Sequence, residues 1–167
     1  MFKSLKHIIV AVIVGMALCA CSHIDDNRIP VRNVNVAFST VAQWDVYGVA
    51  GAYSYKRYIR ELREPANFPF TANTYTGFGG ILLVTDPLGN PLAYDLACPV
   101  EVKANIRVFI NDEYLAECPE CHSTYDVFSS YGAPVGDCPA THHRYGLRRY
   151  SVMSGLSGDY RVITFLR

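Results

Sequence analysis

Residues 79–97 read Gly79-Gly80-Ile81-Leu82-Leu83-Val84-Thr85-Asp86-Pro87-Leu88-Gly89-Asn90-Pro91-Leu92-Ala93-Tyr94-Asp95-Leu96-Ala97. Two apolar runs of strand length flank Asp-Pro-Leu-Gly-Asn, a cluster of turn-forming residues. Each run is too short for a helix of the usual length, and the first is rich in β-branched and aliphatic side chains. The stretch therefore predicts strand, turn and strand. Gly77-Phe78-Gly79-Gly80 just ahead of it is no phosphate loop, because the run that follows is β-like and offers no helix N-terminus to an anion. It is a tight lead into the first strand.

The same pattern continues on both sides. Val34 to Phe38 alternates as Val-Asn-Val-Ala-Phe, and further strands are expected over Val102–Ile110, Tyr114–Glu117, Ser123–Val127, Arg149–Met153 and Tyr160–Leu166. Short strands with turns at intervals of about ten residues predict an all-β fold, an antiparallel sandwich or barrel. No βαβα alternation supports a doubly wound sheet. One stretch breaks the pattern: Tyr55, Tyr58, Ile59 and Leu62 fall at helical spacing within residues 53–63, which predicts a short amphipathic helix closed by Pro65.

The 167 residues make one domain, with half of them hydrophobic, 18% charged and a formal net charge of zero. That balance excludes a disordered tail, a collagenous repeat and a basic nucleic-acid binder. At the N-terminus Lys3 and Lys6 precede an apolar run from Ile8 to Leu18. Such a run matches a signal-peptide core and falls short of the roughly 20 residues a membrane span needs. It ends at Leu18-Cys19-Ala20-Cys21, which resembles a bacterial lipobox: a branched residue, a small residue before the cut, then cysteine.

The resemblance implies a signal peptide over residues 1–20 and lipid attachment at Cys21, with Cys19 disfavoured because Leu18 would then sit at the cut. Residues 21–33, polar and carrying Pro30, suit a lipidated tether to a domain over residues 34–167. The expected location is the cell envelope, anchored to the membrane by lipid and most naturally to the outer membrane. Asp25 and Asp26 resemble the surface-export signals of some lineages. Beyond the membrane, an envelope protein is the expected partner, and no nucleic acid.

Four cysteines follow Cys21: Cys98, Cys118, Cys121 and Cys138. They lie in Ala97-Cys98-Pro99-Val100, in Cys118-Pro119-Glu120-Cys121-His122-Ser123-Thr124-Tyr125-Asp126, and in Asp137-Cys138-Pro139. A Cys-x-x-Cys knuckle brings two sulfurs to one ion because its turn reverses the chain. The run from Gly79 to Val152 resembles the Rieske domain on AYDLACP, CPECHSTYDV, the Gly- and Pro-containing loop and LRRYSV. It is also similar to a group of bacterial Rieske-like lipoproteins with the same CPxC pattern.

In the Rieske family one loop carries Cys-x-His and the other Cys-x-x-His; two cysteines hold one iron and two histidines the other. Cys98 and Cys118 match the two cysteines. Val100, however, stands in the first histidine position and Cys121 in the second, with His122 one place late. The resemblance implies a Rieske-like antiparallel frame with a small cysteine-loop subdomain over about residues 95–141, without the defining histidine pair.

Three uses of the cysteines stay open at this level. Disulfides suit the oxidising compartment, and four cysteines allow three pairings. A single zinc ion suits a tetrahedral set of Cys98, Cys118, Cys121 and Cys138, with His122 as reserve ligand. A [2Fe-2S]-type cluster would need an atypical ligand set, and would make the chain an electron-transfer protein. The bare domain, with no cofactor, heads this ranking. His142 and His143 read as exposed loop residues, and the tyrosines as sandwich core and edge. No nucleophile–base pair and no glycosidase-type carboxylates occur, so no enzymatic activity is expected.

Overall fold

The computed structural model describes residues 23–164, so Cys19, Cys21, the leader and the last three residues lie outside it. In chain order the elements are β1 (Val34–Phe38), α1 (Val41–Tyr47), β2 (Tyr55–Tyr58), β3 (Tyr75–Thr76), β4 (Ile81–Thr85), β5 (Pro91–Asp95) and β6 (Phe109–Ile110). There follow β7 (Ala116–Glu117), β8 (Thr124–Asp126), β9 (Ala133–Val135), α2 (Pro139–His143), β10 (Arg149–Ser154) and β11 (Tyr160–Thr164). Seven strands form a nearly closed antiparallel sheet in the order β2-β4-β5-β10-β11-β1-β3, and β6-β7-β8-β9 form a second, smaller sheet. The all-β expectation is met; the loop with Cys98 joins the two sheets, and the loop with Cys118 and Cys121 lies within the smaller one.

The quoted hairpin sits at the middle of this arrangement. All five residues of β4 are buried, because the strand is covered on both faces. Ile81 and Leu83 face a cluster with Val34, Val36, Phe38, Tyr58, Phe68 and Val162. Leu82 and Val84 face another, with Leu96, Cys98, Val108, Cys118, Tyr125 and Phe128. A strand buried on both sides reads as a continuous apolar run, as this one does. Each such side chain contributes about 1.5–3 kcal/mol of transfer free energy. At the turn, the Asp86 carboxylate accepts from the backbone N–H of Leu88 and Asn90 at 2.9 and 2.7 Å and from the Asn90 side chain at 2.8 Å.

Residues 53–63 are not a helix. Tyr55–Tyr58 pairs with β4, Tyr55 opposite Val84 and Tyr58 opposite Ile81. Strand geometry sends Tyr58 and Ile59 to opposite sides, one into each apolar cluster, which a helix with a single apolar face cannot do. The chain then turns back, Ile59 and Glu64 exchanging backbone hydrogen bonds of 2.8 and 3.1 Å. The helix of this region is α1, where the Thr40 hydroxyl accepts from Gln43 N–H at 3.1 Å and the Gln43 side chain from Ser39 N–H at 2.8 Å. Trp44 of α1 stacks on Tyr160 with centroids 3.8 Å apart.

One further expectation changes. The strand expected over Val102–Ile110 is realised only at Phe109–Ile110, because the chain after Cys98 closes a loop in which Val102 N–H donates to the Cys98 carbonyl at 2.9 Å. The segment before β1 lies along the domain from Asp25 onward. Asp25 and Tyr145 form a parallel bridge, Ile29 is fully buried, and Arg148 Nε donates to the Ile29 carbonyl at 2.8 Å. Among the described residues no helix is long and apolar enough to cross a membrane.

Candidate metal centre

Asp95, the last residue of β5, sets the position of the first cysteine loop. Its buried carboxylate accepts from Phe78 N–H and Gly79 N–H at 2.9 Å, from Ala97 N–H at 2.8 Å and from the Tyr150 hydroxyl at 2.5 Å. Burial raises its pKa, against the lowering effect of those four donors. Arg107 Nε then ties the far side of the loop to the Gly79 carbonyl at 2.5 Å. A Cβ on Gly79 would meet Ala97 N at 2.5 Å, so this close approach requires glycine. The result is a fixed Cys98 at the start of the loop.

The second loop hangs between β7 and β8. Cys118 N–H donates to the Ser123 carbonyl at 2.9 Å and His122 N–H to the Cys118 carbonyl at 3.1 Å, which closes Cys118-Pro119-Glu120-Cys121 into a knuckle. Its tip faces the first loop. The thiol sulfurs of Cys98, Cys118 and Cys121 all lie within 4.8 Å of one another, with Cys98 and Cys118 buried and Cys121 half-buried. The Cys98 and Cys121 Sγ atoms are 3.6 Å apart. Three thiols at that spacing can hold a metal ion.

The surroundings favour thiolate at Cys98. The hydrogen bond with Cys118 draws the Cys98 thiol down to about 6 against the opposing effect of burial, helped by the backbone N–H groups of Glu101 and Val100 and by the Tyr125 hydroxyl. The Cys118 thiol is pushed up in turn, by the same partnership and by burial. The backbone N–H groups of Cys121 and Glu120 point at its sulfur. The Tyr125 hydroxyl stands 3.6 Å from Cys98 Sγ, and Cys121 Sγ donates to the Ser123 hydroxyl at 3.2 Å. Ser123 and Tyr125 carry no metal-ligand signature, so the sequence reading passed them over; their signal was the Ser-x-Tyr spacing directly after the knuckle.

Other expected site residues fall elsewhere. Cys138 caps α2; its sulfur meets the Thr141 hydroxyl at 3.2 Å and the Val135 carbonyl at 3.5 Å, and it is not part of the thiol triad. Burial raises the Cys138 pKa, but the Thr141, Thr124 and Ser123 hydrogen bonds together outweigh it and the net direction is down. The reserve ligand His122 faces outward, 75% exposed, with Nδ1 3.3 Å from Glu117 Oε1. His142 pairs with Asp137 at 2.7 Å and His143 stacks on Tyr145. Val100 packs against the apolar cluster and offers no ligand atom.

The four cysteines are free thiols, and none of the pairings that the sequence allows is formed among the described residues. Soft thiolates on two loops suit zinc or mononuclear iron. Neither the protein-family models nor the curated proteins nor the solved structures contain a match to this chain.

Proposed function

We propose that this chain is a membrane-anchored, non-catalytic envelope lipoprotein with a Rieske-like frame, in which one structural metal ion joins the two cysteine loops. The observation that carries this reading is the meeting of Cys98, Cys118 and Cys121 within 4.8 Å, from two loops, one joining the two sheets and the other within the smaller sheet. Zinc is the metal that a mononuclear thiolate set best suits: it needs no cluster assembly, and it can be acquired after export of an unfolded chain. Held in this way, the small sheet would be locked onto β4 and β5 as a rigid surface for an envelope partner. Anchoring follows from the Leu18-Cys19-Ala20-Cys21 lipobox, with lipid on Cys21.

A second reading has one observation of its own. Hydroxyls of Ser123 and Tyr125 beside the sulfurs are groups that tune the reduction potential of a thiolate-bound iron centre. Electron transfer through an atypical iron–sulfur site is therefore the alternative. Metal analysis of the purified chain separates the two, and labelled fatty-acid incorporation, abolished in Cys21→Ser, tests the anchor.

A further inference from the structure

The two cysteine loops are built alike, position for position. The first runs Cys98-Pro99-Val100-Glu101-Val102 and the second Cys118-Pro119-Glu120-Cys121-His122. In each, the N–H of the fifth residue donates to the carbonyl of the cysteine, at 2.9 Å from Val102 and 3.1 Å from His122. In each, that fifth residue takes a left-handed conformation, φ 52° at Val102 and 53° at His122, although neither is glycine. The third and fourth residues of each loop aim their backbone N–H groups at the sulfur of the first.

This correspondence makes Glu101 the counterpart of Cys121. Cys118 and Cys121 of the second loop and Cys98 of the first occupy three of the four equivalent positions, and all three thiols meet. The remaining position is Glu101. We infer that Glu101 supplies the fourth ligand, so that the centre is a three-thiolate, one-carboxylate site divided equally between two matching loops. This inference rests on the metal-centre reading above.

Carboxylate oxygen is an accepted fourth donor to zinc beside thiolates. The Glu101 side chain is mostly shielded, 24% exposed, and its Oε2 lies 3.6 Å from Lys103 Nζ, outside the thiol triad in this structure. The assignment requires the Glu101 side chain to leave this contact and turn toward the sulfurs, with Lys103 nearby to offset the negative charge of the site. The rival fourth donors, Cys138 beside Thr141 and Val135 and His122 beside Glu117, do not hold the loop place that matches Cys121.

Cobalt(II) titration of the full-length chain in detergent, under reducing and anaerobic conditions, tests the assignment. Wild type should give a tetrahedral cobalt spectrum with the charge-transfer intensity of three thiolates. Glu101→Cys should raise that intensity by about a third as a fourth thiolate joins, and Glu101→Gln should weaken cobalt binding by about tenfold or more. Cys138→Ser should keep the three-thiolate intensity. If Glu101→Cys binds cobalt at unchanged intensity, or Cys138→Ser loses a thiolate's share, Glu101 is not the fourth ligand, although the triad stands. Binding gained only in Glu101→Cys overturns the role of the native carboxylate. Failure of wild type and every variant to bind removes the metal centre itself, and this inference with it.

Discussion

The sulfur atoms of Cys98 and Cys121 lie 3.6 Å apart, although 23 residues and the whole β6–β7 hairpin separate them in the chain. That distance is too long for a disulfide, whose sulfurs sit about 2.05 Å apart, and close to the separation of two sulfurs bound to one ion. Around the pair, backbone N–H groups, the Tyr125 hydroxyl and the Ser123 hydroxyl all face sulfur. The N–H groups and the Tyr125 hydroxyl offer donors to the Cys98 sulfur, while the Ser123 hydroxyl accepts from the Cys121 thiol, at the edge of an apolar cluster.

Thiolate formation in the metal-free protein should begin at Cys98. Its thiol is drawn down to about 6 by the Cys118 interaction and the loop N–H groups, below the ordinary value of 9.0. A lowered acid stabilises the fold above its unfolded value, and that stability is lost as pH falls through about 6. Thiolate ultraviolet absorbance followed against pH should show one group titrating near 6, absent in Cys98→Ser. Metal affinity should fall steeply below the same pH.

Tyr125→Phe removes one donor to Cys98 without changing the packing volume. The Cys98 titration should move upward in pH, and the domain should lose about 1 kcal/mol in a denaturant melt. An unmoved titration would show that the hydroxyl does not act on the sulfur.

Tyr150→Phe tests the support of the first loop. It strips one of four donors from a buried carboxylate, which costs about 1.5–3 kcal/mol for a hydrogen bond to a charged group. Asp95 is raised by burial, so its contribution is complete below the ordinary carboxylate range and declines as pH rises through its folded value. The variant should lose more stability on the high-pH side of the Asp95 titration, where the carboxylate is charged, than on the low-pH side, and melts followed across pH check the direction.

Leu82→Ala opens a cavity on the side of β4 that faces the cysteines. Its side chain is fully buried, and deletions of this kind cost about 2–5 kcal/mol. Leu88→Ala at the exposed hairpin tip is the control, expected to change stability by less than about 0.5 kcal/mol. Chemical denaturation of both variants checks the contrast.

The hairpin over residues 79–97 was legible because a twice-covered strand needs an unbroken apolar run, and β4 has one. Residues 53–63 misled because Tyr58 and Ile59, which mimic a helical face, instead divide between two clusters on either side of a strand, while Tyr55 is exposed. The short helix at Val41–Tyr47 carries no fully buried residue, so it leaves no apolar stripe to read. At the site, the cysteines announced themselves by type, but the separation of Cys138 from the triad is a matter of three-dimensional loop placement. Glu101 was invisible for a different reason: only the matching backbone of the two loops, with Val102 and His122 both left-handed, shows that it stands where Cys121 stands.

The most direct test of the central claim is the metal content and visible absorption of the full-length chain, isolated without added metal and probed with a thiol-alkylating reagent. A structural centre predicts one zinc ion per chain, no visible band, and protection of the half-buried Cys121 from the reagent that is lost when the ion is removed by a chelator. Iron with matching sulfide and a visible band, or a metal-free chain with Cys98 cross-linked to Cys121, would contradict it.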